Sequence, residues 1–296
     1  MEALNKLVAT VYAVLVMPLY VVLMRWARYV SEDVGLAIWA RQFQRDKVKT
    51  LLLVGDGVAL GIGDSLVHGG LAGRMRRLMM HGRAREDYKL LLNWKIVSDA
   101  REFSTSEQWV PGSDKPADSQ KTAASPKENK GNYFDEVFGA EGKYRDADVV
   151  VILVGSEDEK AGIAPKRSAE NIMLTAKELT KLRKKVVVCT CALHSVDPIA
   201  EQHVAARNRE LLERIKQVKP LKLGIFEGVD LMQIVNQGEM LNDIGGYIVF
   251  TDSAFRQLGS MLLDVVKDPM KQVEFQLWKN VLAAGPASSS SGDPTT

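Results

Sequence analysis

The sequence predicts an α/β fold of three layers, in which helices cover both faces of a mostly parallel sheet of about five strands. Continuous apolar runs, typical of strands buried on both faces, occur at residues 51–54, 149–154 and 186–191. Weaker apolar runs lie at 90–97 and 221–226. Helical stretches separate these runs, and strands that alternate with helices favour a parallel sheet.

The predicted helices come between and after these strands, at 70–80, 167–183, 200–218, 253–266 and 270–282. A chain of 296 residues that is 46% hydrophobic can bury one sizeable core. Its 39 Lys and Arg nearly balance its 37 Asp and Glu, so the net charge is only +2. The chain therefore lacks the excess of basic residues that would indicate a nucleic-acid partner.

The N-terminus contains an uncharged apolar run at residues 7–24. Eighteen helical residues span roughly 27 Å, close to the thickness of a bilayer core. Tyr12, Tyr20 and Trp26 are candidate interfacial anchors. A secretory signal peptide is the alternative, but charged residues follow the run at once, without a small-x-small cleavage site. We therefore expect a retained membrane-spanning helix.

Basic residues predict how this helix is oriented. Lys6 precedes the apolar run, and a cluster follows it: Arg25, Arg28, Arg41, Arg45, Lys47 and Lys49. The positive-inside rule places the rest of the chain on the cytosolic side, or on the equivalent side of an organelle. The membrane is thus an expected partner, through a single-pass anchor.

Composition divides the rest of the chain. We expect an anchor over 1–28, a connector over 29–48, an α/β domain over 49–268, and a C-terminal helix with a disordered tail over 269–296. Within the domain, residues 104–132 are rich in Ser, Lys, Pro and Asp. This composition predicts a disordered insertion.

Cys189 and Cys191 lie in a Cys-Thr-Cys sequence within an apolar run. If the run is a strand, both side chains face one side, and small buried thiols in a reducing compartment are the expected interpretation. A metal site is the alternative, with His194 as the nearby third ligand. We expect no metal and no cofactor.

Glycines directly follow the first predicted strand. The sequence Leu51-Leu-Leu-Val-Gly55-Asp-Gly57-Val-Ala-Leu-Gly61-Ile-Gly63-Asp predicts a tight turn at the carboxyl edge of the sheet. Leu60 occupies the third glycine position of a dinucleotide-binding fingerprint, and no Gly-Lys-Ser/Thr of a P-loop occurs. The turn therefore matches neither nucleotide-binding motif.

This turn resembles the first block of the SGNH (GDSL-type) hydrolases, in which the first strand ends in Gly-Asp-Ser. Residues 146–158 resemble the third block, a strand that ends in Gly-x-Asn-Asp, and residues 250–255 resemble the last block, Asp-x-x-His before a terminal helix. Residues 93–98 are a faint match to the second block. The resemblance extends over about 50–266 and implies the three-layer fold of that family.

The resemblance also implies that the catalytic groups of the family are lost. The nucleophilic serine corresponds to Gly57, and the base histidine to Phe255. The asparagine that binds the oxyanion corresponds to Glu157, whose charge would repel an oxyanion. The second-block glycine corresponds to Ser98. Of the family's catalytic groups, Asp252 remains.

A literal Gly63-Asp64-Ser65-Leu66 makes Ser65 the alternative nucleophile. It lies about eight residues beyond the family's serine position, and its base would have to come from His68, His81, His194 or His203. We interpret Ser65 as a loop residue. Acidic residues also gather at the predicted strand ends, and we interpret them as a solvated rim rather than a cation site: Asp56, Asp64, Glu157, Asp158, Glu159 and Asp252.

These features favour a membrane-anchored, catalytically inactive SGNH hydrolase-like domain that acts as an interaction or scaffold module for a protein partner. One alternative is a membrane-anchored esterase or lipase that uses Ser65. Another is a protein that binds a small lipid or acyl ligand without turnover. Fold alone does not decide among these, because function depends on the site.

Overall fold

The computed structural model describes residues 19, 20, 22, 23, 26, 48–64, 69–80, 90, 92–112, 132–192, 197–218, 223–235, 241–244 and 247–283. The predicted connector and most of the predicted anchor lie outside these residues. Within the described part of the chain, no helix combines the length and the apolar character that crossing a bilayer requires.

Five parallel strands form the central sheet, as predicted. They are β1 (Val48–Gly55), β2 (Asn93–Ala100), β3 (Val149–Leu153), β4 (Lys185–Val188) and β5 (Ile225–Glu227). Their order in the sheet is β2-β1-β3-β4-β5. Because β1 lies beside the central strand β3 and runs parallel to it, the turns that follow these two strands meet at one edge of the sheet.

Helices cover both faces of the sheet. In chain order they are α1 (Gly57–Leu60), α2 (Gly70–Met80), α3 (Tyr133–Phe138), α4 (Pro165–Lys181), α5 (Pro198–Val218), α6 (Leu231–Val235) and α7 (Asp252–Ala283). A 3₁₀ helix covers Ser106–Trp109. A separate antiparallel pair, β6 (Leu241–Ile244) and β7 (Tyr247–Phe250), precedes α7.

Two cores lie on the two faces of the sheet. Leu51 and Leu53 of β1 belong to the first core with α1, α2, α6 and α7, whereas Leu52 and Val54 belong to the second core with α3, α4 and α5. Alternate side chains of β3 divide in the same way. This division explains why the strand sequences are apolar throughout instead of alternating.

The predicted insertion begins too early. Residues 104–112 contain the 3₁₀ helix, and Trp109 is buried in the second core. The Trp109 indole N–H donates to the Ser104 hydroxyl at 3.1 Å, and the Thr175 hydroxyl donates to the Trp109 carbonyl at 2.8 Å. Residues 104–112 therefore belong to the folded domain, and residues 113–131 lie outside the described residues.

The two predicted C-terminal helices are one. Helix α7 runs for 32 residues and contains Pro269, at which the sequence predicted a break and a domain boundary. A proline inside a helix removes one backbone hydrogen bond. Because Met270 and Val273 pack into the first core beyond the proline, tertiary contacts hold the helix together across it.

Two strand boundaries also differ from the prediction. Strand β2 begins and ends three residues later than predicted, so that Ser98 lies inside it. Strand β4 ends at Val188, so Cys189 and Cys191 follow the strand instead of lying within it. Both cysteines are buried and neither forms a disulfide.

Candidate functional site

The turn after β1 crosses the end of β3. Gly55 has a φ of +143°, and a Cβ atom added there would lie 1.8 Å from the Leu153 carbonyl oxygen. The Asp56 N–H donates to that same oxygen at 3.0 Å. Only glycine permits this close approach. The glycine of the motif therefore has a structural role, which is to let the end of β1 pass close to the end of β3.

The Asp56 side chain completes this connection. Its carboxylate accepts hydrogen bonds from the Val58 N–H at the start of α1, and from the N–H and the hydroxyl of Ser156 after β3. The side chain is only 1% exposed. Burial raises the pKa of Asp56 to about 6, although the hydrogen bonds from Ser156 and Val58 oppose that rise.

Gly57, which is predicted to correspond to the family's nucleophile, is the first residue of α1. A Cβ atom added there would lie 2.9 Å from Cδ1 of Ile62, a half-buried side chain that packs against the first core. A side chain at position 57 would therefore meet the apolar side chain of Ile62. Since Gly57 has no side chain, this position offers no nucleophile.

Phe255, which is predicted to correspond to the family's base, lies on the first turn of α7 and is 0% exposed. Its ring contacts the ring of Phe250 edge-on, with 5.7 Å between centroids. Both rings belong to the first core. The residue at the base position thus stabilises packing and cannot accept a proton.

Asp252, three residues earlier, forms an ion pair with Arg74 of α2. Arg74 also pairs with Asp64, to which its Nε donates at 2.8 Å. The side chains of Arg74 and Asp64 are buried, whereas that of Asp252 is 44% exposed. One guanidinium therefore holds two carboxylates, from the loop after α1 and from the start of α7.

The third predicted block contains two acidic residues in different environments. The half-buried Glu157 carboxylate pairs with Lys160 at 3.2 Å. Asp158 is fully buried, and it accepts a hydrogen bond from the Ser106 N–H at 2.7 Å and another from the Ser168 hydroxyl. Asp158 thus connects the turn after β3 to the 3₁₀ helix and to α4.

The predicted solvated acidic rim is therefore wrong for three of its members. Asp56, Asp64 and Asp158 are buried, and each carboxylate is hydrogen-bonded. Buried carboxylates need such partners because desolvation of a charge is unfavourable. Their partners come from elements that are distant in sequence, which composition alone does not reveal.

Arg207 is a buried residue that sequence reasoning missed. Its guanidinium donates to the Gly155 carbonyl and, at 2.9 Å, to Oδ1 of Asn208. Burial lowers the pKa of Arg207 to about 10, while the charges of Asp158 and Asp56 act to raise it. Its sequence signal is weak, since a charged residue on a long helix is normally interpreted as exposed.

Gly155 leaves room for this guanidinium. Its φ is +111°, and an added Cβ atom would lie 2.6 Å from NH1 of Arg207. Arg207 and Asp158 thus pack directly beneath the turn after β3. Together with Asp56 and Ser156 they form a buried polar layer below the carboxyl edge of the sheet.

Ser98 occupies a structural position. It pairs with Leu53 inside β2, and its hydroxyl donates to the Ala59 carbonyl of α1 at 3.3 Å. Ser98 lies two residues before the end of β2, whereas the sequence placed it directly after a strand that ends at residue 97. The later start of β2 is the reason for this shift.

Tyr20 contacts the same part of the domain. Its hydroxyl donates to the Asp64 carbonyl at 2.6 Å and accepts from the Gly63 N–H at 3.0 Å. Tyr20 belongs to the predicted apolar run, so a residue of that run lies against the loop that carries Asp64. No sequence signal indicated this contact.

The cysteines and histidines contribute little to the described site. Burial raises the pKa of Cys189 to about 12, which leaves the thiol protonated. Among the described residues, no group of three or more His, Cys, Asp or Glu side chains is arranged to hold a metal ion. His203 contacts the Ile163 carbonyl at 2.8 Å, and Ser65, His68, His81 and His194 lie outside the described residues.

Comparisons with known proteins address the fold. No protein-family model and no curated protein matches the chain. Among solved structures, it is similar to a family 3 carbohydrate esterase of Clostridium thermocellum, with a TM-score of 0.51 and 10% identity over 77% of this chain and 99% of that chain. It is also similar to TesA, with a TM-score of 0.50 and 18% identity over 75% and 99%.

A lipase/acylhydrolase from Enterococcus faecalis has a TM-score of 0.49 and 18% identity over 74% of this chain and 96% of that chain. The first two likenesses cover about three quarters of this chain and nearly the whole of each matched chain. The chain has an SGNH hydrolase-like fold. At these identities the likeness concerns the fold and not the activity.

The positions that the sequence blocks singled out lie at the ends of strands and helices. Gly57 follows β1, Glu157 follows β3, and Asp252 and Phe255 begin α7. Ser98 is the exception, as described above. In the described part of the domain, the positions predicted to correspond to nucleophile, base and oxyanion donor thus carry no side chain, an apolar ring and a carboxylate.

Proposed function

We propose that the chain is a membrane-tethered SGNH hydrolase-like domain that does not hydrolyse esters and acts as an interaction or scaffold module for a protein partner. Phe255 is the observation that carries this proposal. The side chain at the base position is fully buried and packed edge-on against Phe250. Phe255 is part of the first core, so its side chain contributes to stability rather than to catalysis.

The chemistry of acyl transfer supports the same conclusion. Hydrolysis by this fold needs an oxygen nucleophile, a base within hydrogen-bond reach, and donors directed at the oxyanion. Gly57 supplies no nucleophile, and Glu157 brings a negative charge to the oxyanion side. Loss of one oxyanion donor alone typically costs roughly 10²–10³ in rate, and a missing nucleophile removes the covalent route.

The tether is proposed from the uncharged run at 7–24 and from the basic residues that follow it. On this proposal the domain faces the cytosol or the equivalent side of an organelle. The hydrogen bonds of Tyr20 to Gly63 and Asp64 support a domain held close to its anchor. We expect the full chain to resist alkaline carbonate extraction, and a chain that begins at Lys47 to be soluble.

A hydrolase that uses Ser65 is the second candidate. One observation favours it: Asp64, directly before Ser65, shares Arg74 with Asp252, the one catalytic residue of the family that is retained. The fold is also that of a carbohydrate esterase. A third possibility keeps the site for a lipid or acyl ligand without turnover.

Labelling with a fluorophosphonate probe separates these functions. We expect the wild-type chain to remain unlabelled and to hydrolyse short acyl esters no faster than a buffer blank. Labelling that disappears in Ser65→Ala but persists in Ser156→Ala would establish the hydrolase instead. An unlabelled chain whose melting temperature rises with an acyl ligand would favour the ligand-binding function.

A further inference from the structure

The last turns of α7 expose an apolar stripe. Phe275 is 71% exposed, Trp278 is 52% exposed and Leu282 is 73% exposed. Residues at spacings of three and seven share one face of a helix, so these three side chains lie together. We call them the α7 stripe. Large apolar side chains that cluster on a surface mark an interaction site more often than isolated ones do.

This stripe faces away from the core. Among the side chains of α7 whose burial is described, those of Met270, Val273 and Glu274 are the last that are buried. Glu274 accepts hydrogen bonds from the Trp94 indole at 2.9 Å and from the Leu92 N–H at 3.0 Å, which fixes the inner face of the helix on the start of β2. Beyond Glu274 the described side chains of α7 are half-buried or exposed, and the stripe lies among the exposed ones.

Lysines flank the stripe. Lys271 precedes Phe275 by one turn, and Lys279 follows it by one turn. The other charged residue of 270–283 is Glu274, whose carboxylate is held inside the domain. An open surface depression of about 490 Å³ lies beside Phe275, lined among the described residues by Lys271, Gln272, Phe275, Gln276 and Lys279. The outer face of the helix end is therefore apolar and positively charged.

We propose that the end of α7 binds the headgroup layer of a membrane that contains anionic lipid. A tryptophan, a phenylalanine and a leucine beside lysines are the composition of helices that lie in the interface plane. The lysines complement the negative surface potential of anionic lipids. The stripe would enter the boundary between headgroups and acyl chains, and the lysines would remain among the phosphates.

The placement of α7 agrees with this occupant. Helix α7 and the loop that holds Tyr20 belong to the same layer of the sandwich, on the side of the first core. A membrane that covers this layer meets the tether near Gly63 and the stripe at the far end of α7. The proposal rests on the proposed tether to the extent that the tether brings α7 to the membrane.

The test uses the full chain, reconstituted into liposomes of phosphatidylcholine alone or of equal parts phosphatidylcholine and phosphatidylserine. Leu282→Cys places a thiol on the stripe, and Asn280→Cys places one on the opposite, exposed side of the helix. The native Cys189 and Cys191 are buried, which keeps their labelling low. Each variant carries an environment-sensitive fluorophore, and the lipids carry a nitroxide quencher.

We expect several-fold stronger quenching at position 282 than at position 280, and only when phosphatidylserine is present. Combining Lys271→Gln with Lys279→Gln should reduce quenching at 282 to the level seen in phosphatidylcholine. Equal quenching at positions 282 and 280 would overturn the proposal. So would quenching at 282 that is the same with and without phosphatidylserine. A blue shift at 282 that depends on protein concentration without quenching would assign the stripe to a protein contact instead.

Carbonate extraction of the same liposomes reports on the tether separately. If the chain stays with the lipid while position 282 is unquenched, the result supports the tether and contradicts the membrane contact of the α7 stripe. If carbonate extracts the chain but position 282 was quenched before extraction, the result supports the membrane contact of the α7 stripe and contradicts the tether.

Discussion

The carboxylate of Asp56 accepts two hydrogen bonds from Ser156, one from its N–H at 2.9 Å and one from its hydroxyl at 2.7 Å. Asp56 follows β1 and Ser156 follows β3, so this pair joins the two central strands at their carboxyl ends. The aspartate of the motif that resembles the family's first block thus serves here as a buried connector. Its environment makes it a titrating group near pH 6.

Stability should therefore depend on pH through Asp56. Its pKa is raised from 3.8 to about 6 in the folded chain, so the folded state binds the proton more tightly than the unfolded state. This contribution is full below about pH 4 and is lost as the pH rises through 6. A shift of this size corresponds to on the order of 3 kcal/mol.

Asp56→Asn removes this titration. We expect the stability difference between wild type and Asp56→Asn to favour wild type more at pH 4 than at pH 7.5, measured by thermal unfolding in mild detergent. Ser156→Ala, which removes one hydroxyl donor and keeps the carboxyl, should move the step to higher pH. A difference that is constant with pH would contradict the burial of a titrating Asp56.

Arg74 should be important for stability. Replacing it with Met leaves Asp64 buried without its cation and releases Asp252. Breaking a buried ion pair in this way typically costs about 3–5 kcal/mol. Arg77→Met, on the exposed face of the same helix, should cost less than about 1 kcal/mol. Chemical denaturation of both variants measures the two losses, and equal losses would argue against the ion-pair network.

Restored catalytic groups should not be sufficient for activity. We expect Gly57→Ser, Phe255→His and Glu157→Asn to remain unlabelled by a fluorophosphonate probe, both singly and combined, because Arg74 holds the aspartate that would orient the histidine. Adding Arg74→Met to the combination should produce labelling, since triad members act as a unit. Labelling of the combination with Arg74 intact would show that the ion pair does not restrain Asp252.

The boundary of the insertion can be tested by two changes. Trp109→Ala should destabilise the domain by roughly 3–5 kcal/mol because it empties a buried site in the second core. Replacing residues 113–131 with a short Gly-Ser linker should change the melting temperature little, because their composition offers few apolar side chains to a core. A large loss on that replacement would show that the segment packs.

Sequence reasoning predicted the sheet because its strands are apolar on both faces. Leu51 to Val54 contribute alternately to two cores, and a continuous apolar run is the signature of that arrangement. The predicted bounds of β2 were three residues too early because the strand contains polar residues that are nevertheless buried: Asn93, Ser98 and Asp99. The β6–β7 pair was missed, although Gly-Gly at 245–246, followed by the apolar Tyr247–Phe250, is a typical hairpin signal.

The site was predictable only in part. Gly57, Asp252 and Phe255 could be located because a turn, a strand end and a helix start fix their positions in the chain. The contacts of Arg74 and Arg207 could not be, because each depends on partners distant in sequence. A charged residue on a helix gives no sign of burial until the opposite charge is brought to it by the fold.

Both ends of residues 113–131 attach to the second-core side of the sheet. Trp109 shortly before the segment and Phe134 shortly after it pack in that core, on the opposite face from α7. An epitope placed within the segment would therefore enter and leave the domain on the side away from the α7 stripe. Such a tag would provide an antibody handle in permeabilised cells without competing for the surface of α7.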